Sequence, residues 1–503
     1  MKSSKIIRYV LYITYILSPL ILILLLSFIC NCNAFIGHPI WSDEFGYWKE
    51  VFSFTNHDFN TGYMGFNELT PKIGRFSTHG FFPAFFYYPF AKILGWPANG
   101  IVISNLIFTV ICFTLVTILY KPNISQTIKM TFLYLFFPPI ILYAATSMTE
   151  ILHYGFLVLF FLFFYKYCNS KTKNKKYFLF LTILIGTISS LYRITYILLF
   201  LIPVFILSDL KLKKFIKLFL YWVLYSGFLY YITSIFIAPY PFWITYKISH
   251  APSLNSAIEI LISNFKSNIK NWINITNGAK IEVYFRFFYL LLLTLYFLLI
   301  FFRTSFKKSK KDFISISLRE KFSCFYIAQF ILLFVPFIII LMIYDVFAYR
   351  DLRALAPFWW ISFFNLIIYK KTLTLKFFKL IFITFFIIST FNTSSWIQSF
   401  QISNTGRFAD TQKRDFTLIQ NVVQYKIDVK DPFENTIATD VEFDFELCSN
   451  LHPGIGIEWL PSDFNLENCK SKYLLINKNQ NINGYERKGK TEFGYLYEKE
   501  KVN

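Results

Sequence analysis

The run from Tyr9 to Cys30, YVLYITYILSPLILILLLSFIC, contains no charged residue. It exceeds the roughly 20 apolar residues that cross the hydrocarbon core of a bilayer. Similar runs recur along the whole chain of 503 residues. Only 16% of the chain is charged and 55% is hydrophobic, where an ordinary soluble domain carries about 25% charge. A soluble core of this size would show polar helix faces; uninterrupted apolar runs predict a polytopic α-helical membrane protein. Lys2, Lys5 and Arg8 precede the first run, as in a secretory leader. Its apolar part is longer than the ~7–15 residues of such leaders and no small-x-small site follows, so a retained helix is expected.

The formal charge is +21, but its distribution argues against nucleic acid as a partner. Basic residues gather in short segments between apolar runs: KYCNSKTKNKK at 166–176, DLKLKKFIK at 209–217, RTSFKKSKKDF at 303–313 and KKTLTLK at 370–376. Such segments mark the cytoplasmic side. Alternation then predicts about eleven transmembrane helices near 9–30, 99–120, 127–147, 150–167, 177–192, 194–208, 218–238, 284–302, 322–344, 354–369 and 377–391. The pair around Arg193 can instead be one bent helix. The N-terminus falls inside; 31–98, 239–283, 345–353 and the tail fall outside, facing away from the cytoplasm of a bacterial inner membrane.

Residues 1–391 are expected to form the membrane domain. Within it, the first outer loop, 31–98, mixes aromatic clusters with single charges, a pattern that suits helices lying at the lipid interface. Beyond 391 the composition turns polar. NTIATDVEFDF at 435–445, KYLLINKN at 472–479 and EFGYLYEK at 492–499 alternate like strands, separated by HPGIG and NGYE. A small α/β domain is expected over 392–503. No CxxC spacing suggests zinc. Cys112 and Cys168 read as core residues, Cys30 and Cys32 as packing at the mouth of the first helix, and a disulfide between Cys448 and Cys469 is left open.

Four features carry candidate chemistry, and all fall on the outer face. Asp43–Glu44, in HPIWSDEFGYW, is either a source of general base or part of a helix N-cap at Ser42 or Asp43. Glu150, in TSMTEILHYGFL, opens a predicted helix, where the helix dipole favours an acid. His153 shares its face, but two ligands do not define a metal site. Arg193, in SLYRITYILLF, interrupts an apolar stretch; such a cation faces a cavity or reaches to headgroups. Arg350 and Arg353, in YDVFAYRDLRALAPFWW, project to one side if that segment is helical. They suit a phosphate or an ion pair with Asp345 or Asp351. Acids opposite arginines, at headgroup height, suit sugar transfer from a lipid phosphate. The acid takes a proton from the acceptor hydroxyl, and the arginines neutralise the departing phosphate. Attack from the far face inverts the anomeric centre, by analogy with inverting glycosidases.

These stretches resemble the GT-C class of membrane glycosyltransferases, which includes protein O-mannosyltransferases, aminoarabinose transferases and bacterial cell-envelope enzymes. WSDEFGYW is similar to the class's Asp-Glu pattern followed by Tyr. THGFFPAFFYYPFAKILGW resembles its His-x-x-Pro stretch, although His79 and Pro83 are four apart. SMTEILHYGFLVLFF is similar to its second-loop acid, SLYRITYILLFLIP to its arginine turn, and AYRDLRALAPFWW to its Arg-Tyr-x-x-x-x-x-Pro segment with altered spacing. The resemblance spans nearly the whole chain in order, in short motifs. It implies a membrane bundle with a soluble outer domain and a polyprenyl-phosphate sugar as donor. A glycan, lipid or protein would be the acceptor. It implies Asp43 as base, Glu44 as its orienter, Glu150 as a second acid on the acceptor or on a divalent metal, and Arg350 or Arg353 on the phosphate. Arg193, Arg75, His79, Trp41 and Tyr47 would complete the substrate site. The resemblance names no certain cofactor and leaves a divalent metal open. The rival expectation is a lipid-linked sugar flippase or polysaccharide transporter, for which duplicated halves or interrupted helices would speak.

Overall fold

The computed structural model describes residues 2–31, 33–36, 42–57, 64–66, 68, 80–170, 172–209, 211–237, 246–273, 291, 316–344, 353–369, 414–441 and 450–500. Proline sets the first bend. Helix α1 (Lys2–Ile16) and α2 (Ser18–Ile29) meet at 64°. Pro19 has no N–H for the carbonyl of Tyr15, four residues back. The Ser18 hydroxyl donates to that carbonyl instead, at 2.7 Å. The sequence predicted one straight span there. It likewise predicted one helix over 127–147, which divides into α6 (Ile124–Leu135) and α7 (Pro138–Tyr143) at the Pro138–Pro139 pair.

Between α2 and α6 lie α3 (Ser42–His57), β1 (Met64–Phe66), α4 (Phe82–Leu94) and α5 (Gly100–Leu119). Helices α8 (Glu150–Asn169) and α9 (Thr172–Tyr192) follow as an antiparallel pair. Arg193 is extended, at φ −145°, and a 3₁₀ segment Ile194–Phe200 then leads into α10 (Leu201–Leu207). The stretch around Arg193 is therefore two elements broken at the arginine. Helix α11 (Leu212–Ile235) is followed by α12 (Tyr246–Ser249), α13 (Leu254–Ile273), α14 (Ile316–Ile343) and α15 (Ala356–Tyr369). Helix α13 lies in a loop where no helix was predicted. The predicted spans 284–302, except Leu291, and 377–391 lie outside the described residues.

Among the described residues three helices are long and apolar enough to cross a membrane, α5, α8 and α11, or four if the bent α1–α2 pair counts as one. Shorter apolar helices occupy 194–207, 328–343 and 356–368. Helix α8 is the hub, buried from Glu150 to Phe164. Helix α11 is the opposite case, with Leu220, Leu224, Phe228 and Tyr231 all exposed. Glu150 opens α8 and Lys166 closes it. Its 20 residues separate the two ends by about 30 Å. Arg8 joins the lysine end by donating to the carbonyls of Lys121 and Pro122.

The C-terminal part holds α16 (Thr417–Val422), β2 (Thr436–Thr439), β3 (Gly456–Trp459), β4 (Tyr473–Ile476), β5 (Tyr485–Thr491) and β6 (Gly494–Lys499). The strands expected near 435–445, 472–479 and 492–499 correspond to β2, β4 and β6, while β3 and β5 occupy or follow the predicted turns. The sheet order is β1-β3-β2-β4-β6-β5, with β1, β3, β2 and β4 parallel and β6 antiparallel to both β4 and β5. Side chains alternate across it. Ile437, Ile457, Tyr473, Leu475 and Leu496 pack with α3 and α4, and Ala438, Leu474, Ile476 and Tyr497 fill the other face.

Strand β1, from the 31–98 segment, thus belongs to the C-terminal sheet, and the division at 391 does not separate two cores. Its seal is acidic. The Glu68 carboxylate accepts from the Ser471 backbone N–H at 2.8 Å, from the Cys469 thiol at 3.0 Å, and from the Ser471 hydroxyl. Cys469 is therefore a free buried thiol; Cys448 lies outside the described residues. The Glu68 N–H in turn donates to Glu458 Oε2 at 3.0 Å. A Cβ on Gly65 would collide with the Glu458 carboxylate, so a larger residue there displaces that side chain. Burial pushes the Glu458 carboxyl up to about 8, against the Glu68 N–H that favours its charged form and with the Glu68 carboxylate adding to the rise. The folded protein keeps this proton where the unfolded chain, with its carboxyl near 4.5, has lost it. Stability therefore falls as pH rises from about 4.5 to 8, by up to about 1.4 kcal/mol per pH unit. Glu458→Gln should remove that slope from the C-terminal unfolding transition, followed by circular dichroism; an unchanged slope would place the titration elsewhere.

Candidate active site

The opening stretch of α3 meets the opening of α8. Asp43 and Glu44 both fall in the first turn of α3, where the helix dipole favours acids. Asp43 is a member of that turn and not its cap. Consecutive helical residues diverge by about 100°, and the two carboxylates have different surroundings: Asp43 is 36% exposed in its side chain, Glu44 fully buried. Tyr47, one turn on, is buried beneath them. Trp48 donates its indole N–H to the Pro97 carbonyl at 3.1 Å, and Trp96 donates to the Trp48 carbonyl at 3.0 Å, fixing α3 against the start of α5.

Two arginines bind the acids from other elements. Arg353 Nη1 donates to Asp43 Oδ2 at 2.7 Å, and its Nε stands 4.0 Å from Glu150 Oε1. Arg193 Nη2 donates to the same Glu150 oxygen at 3.0 Å, and its Nη1 to the Arg353 carbonyl at 2.7 Å. Asp43, Arg353, Glu150 and Arg193 therefore form one continuous chain of alternating charge, drawn from four distant parts of the sequence. Arg193 can do this because the chain breaks out of α9 at that residue. Arg353 sits in a turn that precedes α15, just before the helix as expected. Arg350, Arg75, His79 and Trp41 lie outside the described residues.

Glu150 is 1% exposed, and its Oε2 has no hydrogen-bond partner among the described residues. A buried carboxylate oxygen in that state is a ready acceptor for an incoming hydroxyl. The loop before it is held from below. Tyr87 donates its hydroxyl to Asn105 Oδ1 at 2.7 Å, and Asn105 Nδ2 donates to the Met148 carbonyl at 3.0 Å. These positioning residues were missed in the sequence. The available signal was Asn105 itself, an amide inside the apolar run GIVISNLIFTV, because polar groups at such positions need a purpose. His153 packs its ring against Tyr192 and Tyr196, at 5.0 and 5.2 Å.

The four charges of the chain sum to zero, two carboxylates against two guanidiniums. A divalent cation would meet both arginines, so this residue set does not fit one, and no group of three or more His, Cys, Asp or Glu among the described residues could hold a metal. An anion fits better. Arg353, which donates Nη1 to Asp43, carries the planar fork of N–H donors that matches a phosphate.

The class that fold and site define is a mostly helical chain with apolar helices long enough for a bilayer, a strand from the segment after the first helices built into a C-terminal sheet, and a buried acid–arginine chain. Comparison with protein-family models, curated proteins and solved structures finds no match for it.

Proposed function

We propose that the chain is a membrane glycosyltransferase of GT-C type. In this reading it moves a sugar from a polyprenyl-phosphate donor to a cell-envelope acceptor, on the outer face of a bacterial inner membrane. The eleven-span bundle, with N-terminus inside and sheet domain outside, belongs to this proposal. The observation that carries it is the Asp43–Arg353–Glu150–Arg193 chain. It stands at the opposite end of α8 from the lysines of 166–176, which is the sidedness the reaction requires.

The donor's phosphodiester carries one negative charge, and cleavage gives its leaving oxygen a second. Arg353 meets that charge as it develops, where such contacts count most, while Arg193 pins the Arg353 backbone and Glu150. The acceptor oxygen attacks the anomeric carbon from the face opposite the phosphate. The bond from that carbon to the phosphate oxygen breaks with its electron pair on the phosphate, and the acceptor proton passes to Asp43. The configuration inverts. A guanidinium partner makes a carboxylate a weak base. Arrival of the phosphate draws Arg353 away from Asp43 and so strengthens the base only when donor is present. Glu150 Oε2 receives an acceptor hydroxyl.

The test is transfer of labelled sugar from a polyprenyl-phosphate donor in vesicles holding the purified protein. Arg353→Gln should raise the donor KM by about 10- to 100-fold, the value of charge-assisted bonds to a phosphate, and Arg353→Lys should restore part of it. A donor KM indifferent to both changes would remove Arg353 from the phosphate site.

A further inference from the structure

A second concavity lies on the C-terminal part, remote from the charge chain. It is a groove of about 540 Å³ along α16 and the loop after residue 450. Tyr425 and His452 stack in it face to face, with centroids 4.3 Å apart and planes 12° apart. The pair is held rigidly. A Cβ on Gly454 would strike the Tyr425 ring, and Asn435 brackets the next residue, accepting from the Lys426 N–H and donating to its carbonyl, both at 2.8 Å. Around the rings stand three exposed carboxamides, Gln420, Gln424 and Asn450, and the exposed side chain of Ile427.

Among the described residues, none that lines it carries a carboxylate, ammonium or guanidinium. Partial burial, then His57 and Lys49, hold the His452 imidazole below its usual range, which keeps the groove neutral at pH 7. A phosphate or nucleic acid finds no cation among these described lining residues. Carboxamides offer donor and acceptor side by side, as a sugar hydroxyl does on one atom, and the face of an exposed ring, His452, beside an apolar side chain suits the C–H face of a pyranose. We infer that this groove binds a neutral oligosaccharide, through the carboxamides of Gln420, Gln424 and Asn450 and the Tyr425–His452 platform.

Its placement says what that oligosaccharide is for. The His57 ring, at the last residue of α3, stands 4.9 Å from His452 and 5.1 Å from Tyr425. The Lys49 ammonium and Ser53 hydroxyl of the same helix donate to the Pro453 carbonyl, at 3.3 and 2.7 Å. Asp43 lies near the other end of α3, about 21 Å away at helical rise, a distance that a short oligosaccharide spans. The glycan is then the acceptor, anchored in the groove with its end near Asp43. That assignment rests on the transferase reading; the binding itself does not.

The experiment uses the full-length protein in detergent, without donor, on a printed array of neutral oligosaccharides built from hexose, deoxyhexose and N-acetylhexosamine units. Wild type should bind at least one set of related glycans. Gln424→Ala and Asn450→Ala, both at exposed positions, should each weaken that binding about tenfold. Binding to no array member, or binding that both variants retain, overturns the groove and leaves the transferase reading standing. Groove-dependent binding by a protein that transfers no sugar to the bound glycan removes its acceptor role while the glycan site stands.

Discussion

Asp43→Asn should lower sugar transfer by about 10²- to 10⁴-fold, the usual contribution of a general base, with little change in donor KM. The amide keeps the shape of the carboxylate and accepts from Arg353 Nη1, so the turn that opens α3 survives. What it loses is the ability to take the acceptor proton. The measurement is initial rate against donor concentration in vesicles, and the separation of kcat from KM is the informative part. Full turnover would reject Asp43 as the base. Donor translocation preserved alongside absent transfer in wild type would favour the flippase reading, because translocation needs no base.

Arg193→Met should be the most damaging single change to stability. It leaves Glu150, 1% exposed, as a buried carboxylate without the partner 3.0 Å away. Breaking one side of such a pair costs about 3–5 kcal/mol. The loss should appear as a lower melting temperature of the detergent-solubilised protein. Adding Glu150→Gln should restore most of it, because the uncompensated charge is gone. Glu150→Gln alone should cost less, since Arg193 keeps its bond to the Arg353 carbonyl. Wild-type melting by Arg193→Met would mean that Glu150 is solvated. The double variant should still fail in transfer, which separates the stabilising part of the pair from its place in the site.

Much of the site could be read in the chain because each charge interrupts an apolar setting. Asp43, Glu150, Arg193 and Arg353 stand out for the same physical reason: a charge in an apolar setting is costly unless something answers it. The answers themselves were not legible. That Arg353 meets Asp43, 310 residues away, and that Arg193 reaches Glu150 depend on which helix ends pack together. Periodicity marks a helix and its buried stripe but not its neighbour. Glu44 was expected to steady Asp43, and its buried place on another side of α3 follows from tertiary contacts alone. Asn105 and Tyr87 were invisible for a related reason, since their value lies in the carbonyl of Met148, which only the packed structure brings near.

The fold divides in the same way. The apolar runs, the basic loops between them and the alternating strands of the tail are local properties of sequence, set by the cost of exposing apolar surface and by side-chain period. They determined a mostly helical chain with a small C-terminal sheet. Breaks at Pro19 and at Pro138–Pro139 were also written locally, as missing N–H donors. The three residues Met64–Phe66 were not, because so short a segment has no pattern of its own. Its pairing to β3 depends on Glu68 finding buried backbone N–H groups at 470–471. Tertiary structure alone decided that the segment between α2 and α5 and the C-terminal tail share one core, and that this shared core carries Asp43 to the arginines. Long-range pairing of buried charges and strand edges has no signature within any stretch of sequence, since both halves of each bond must be present before either is satisfied.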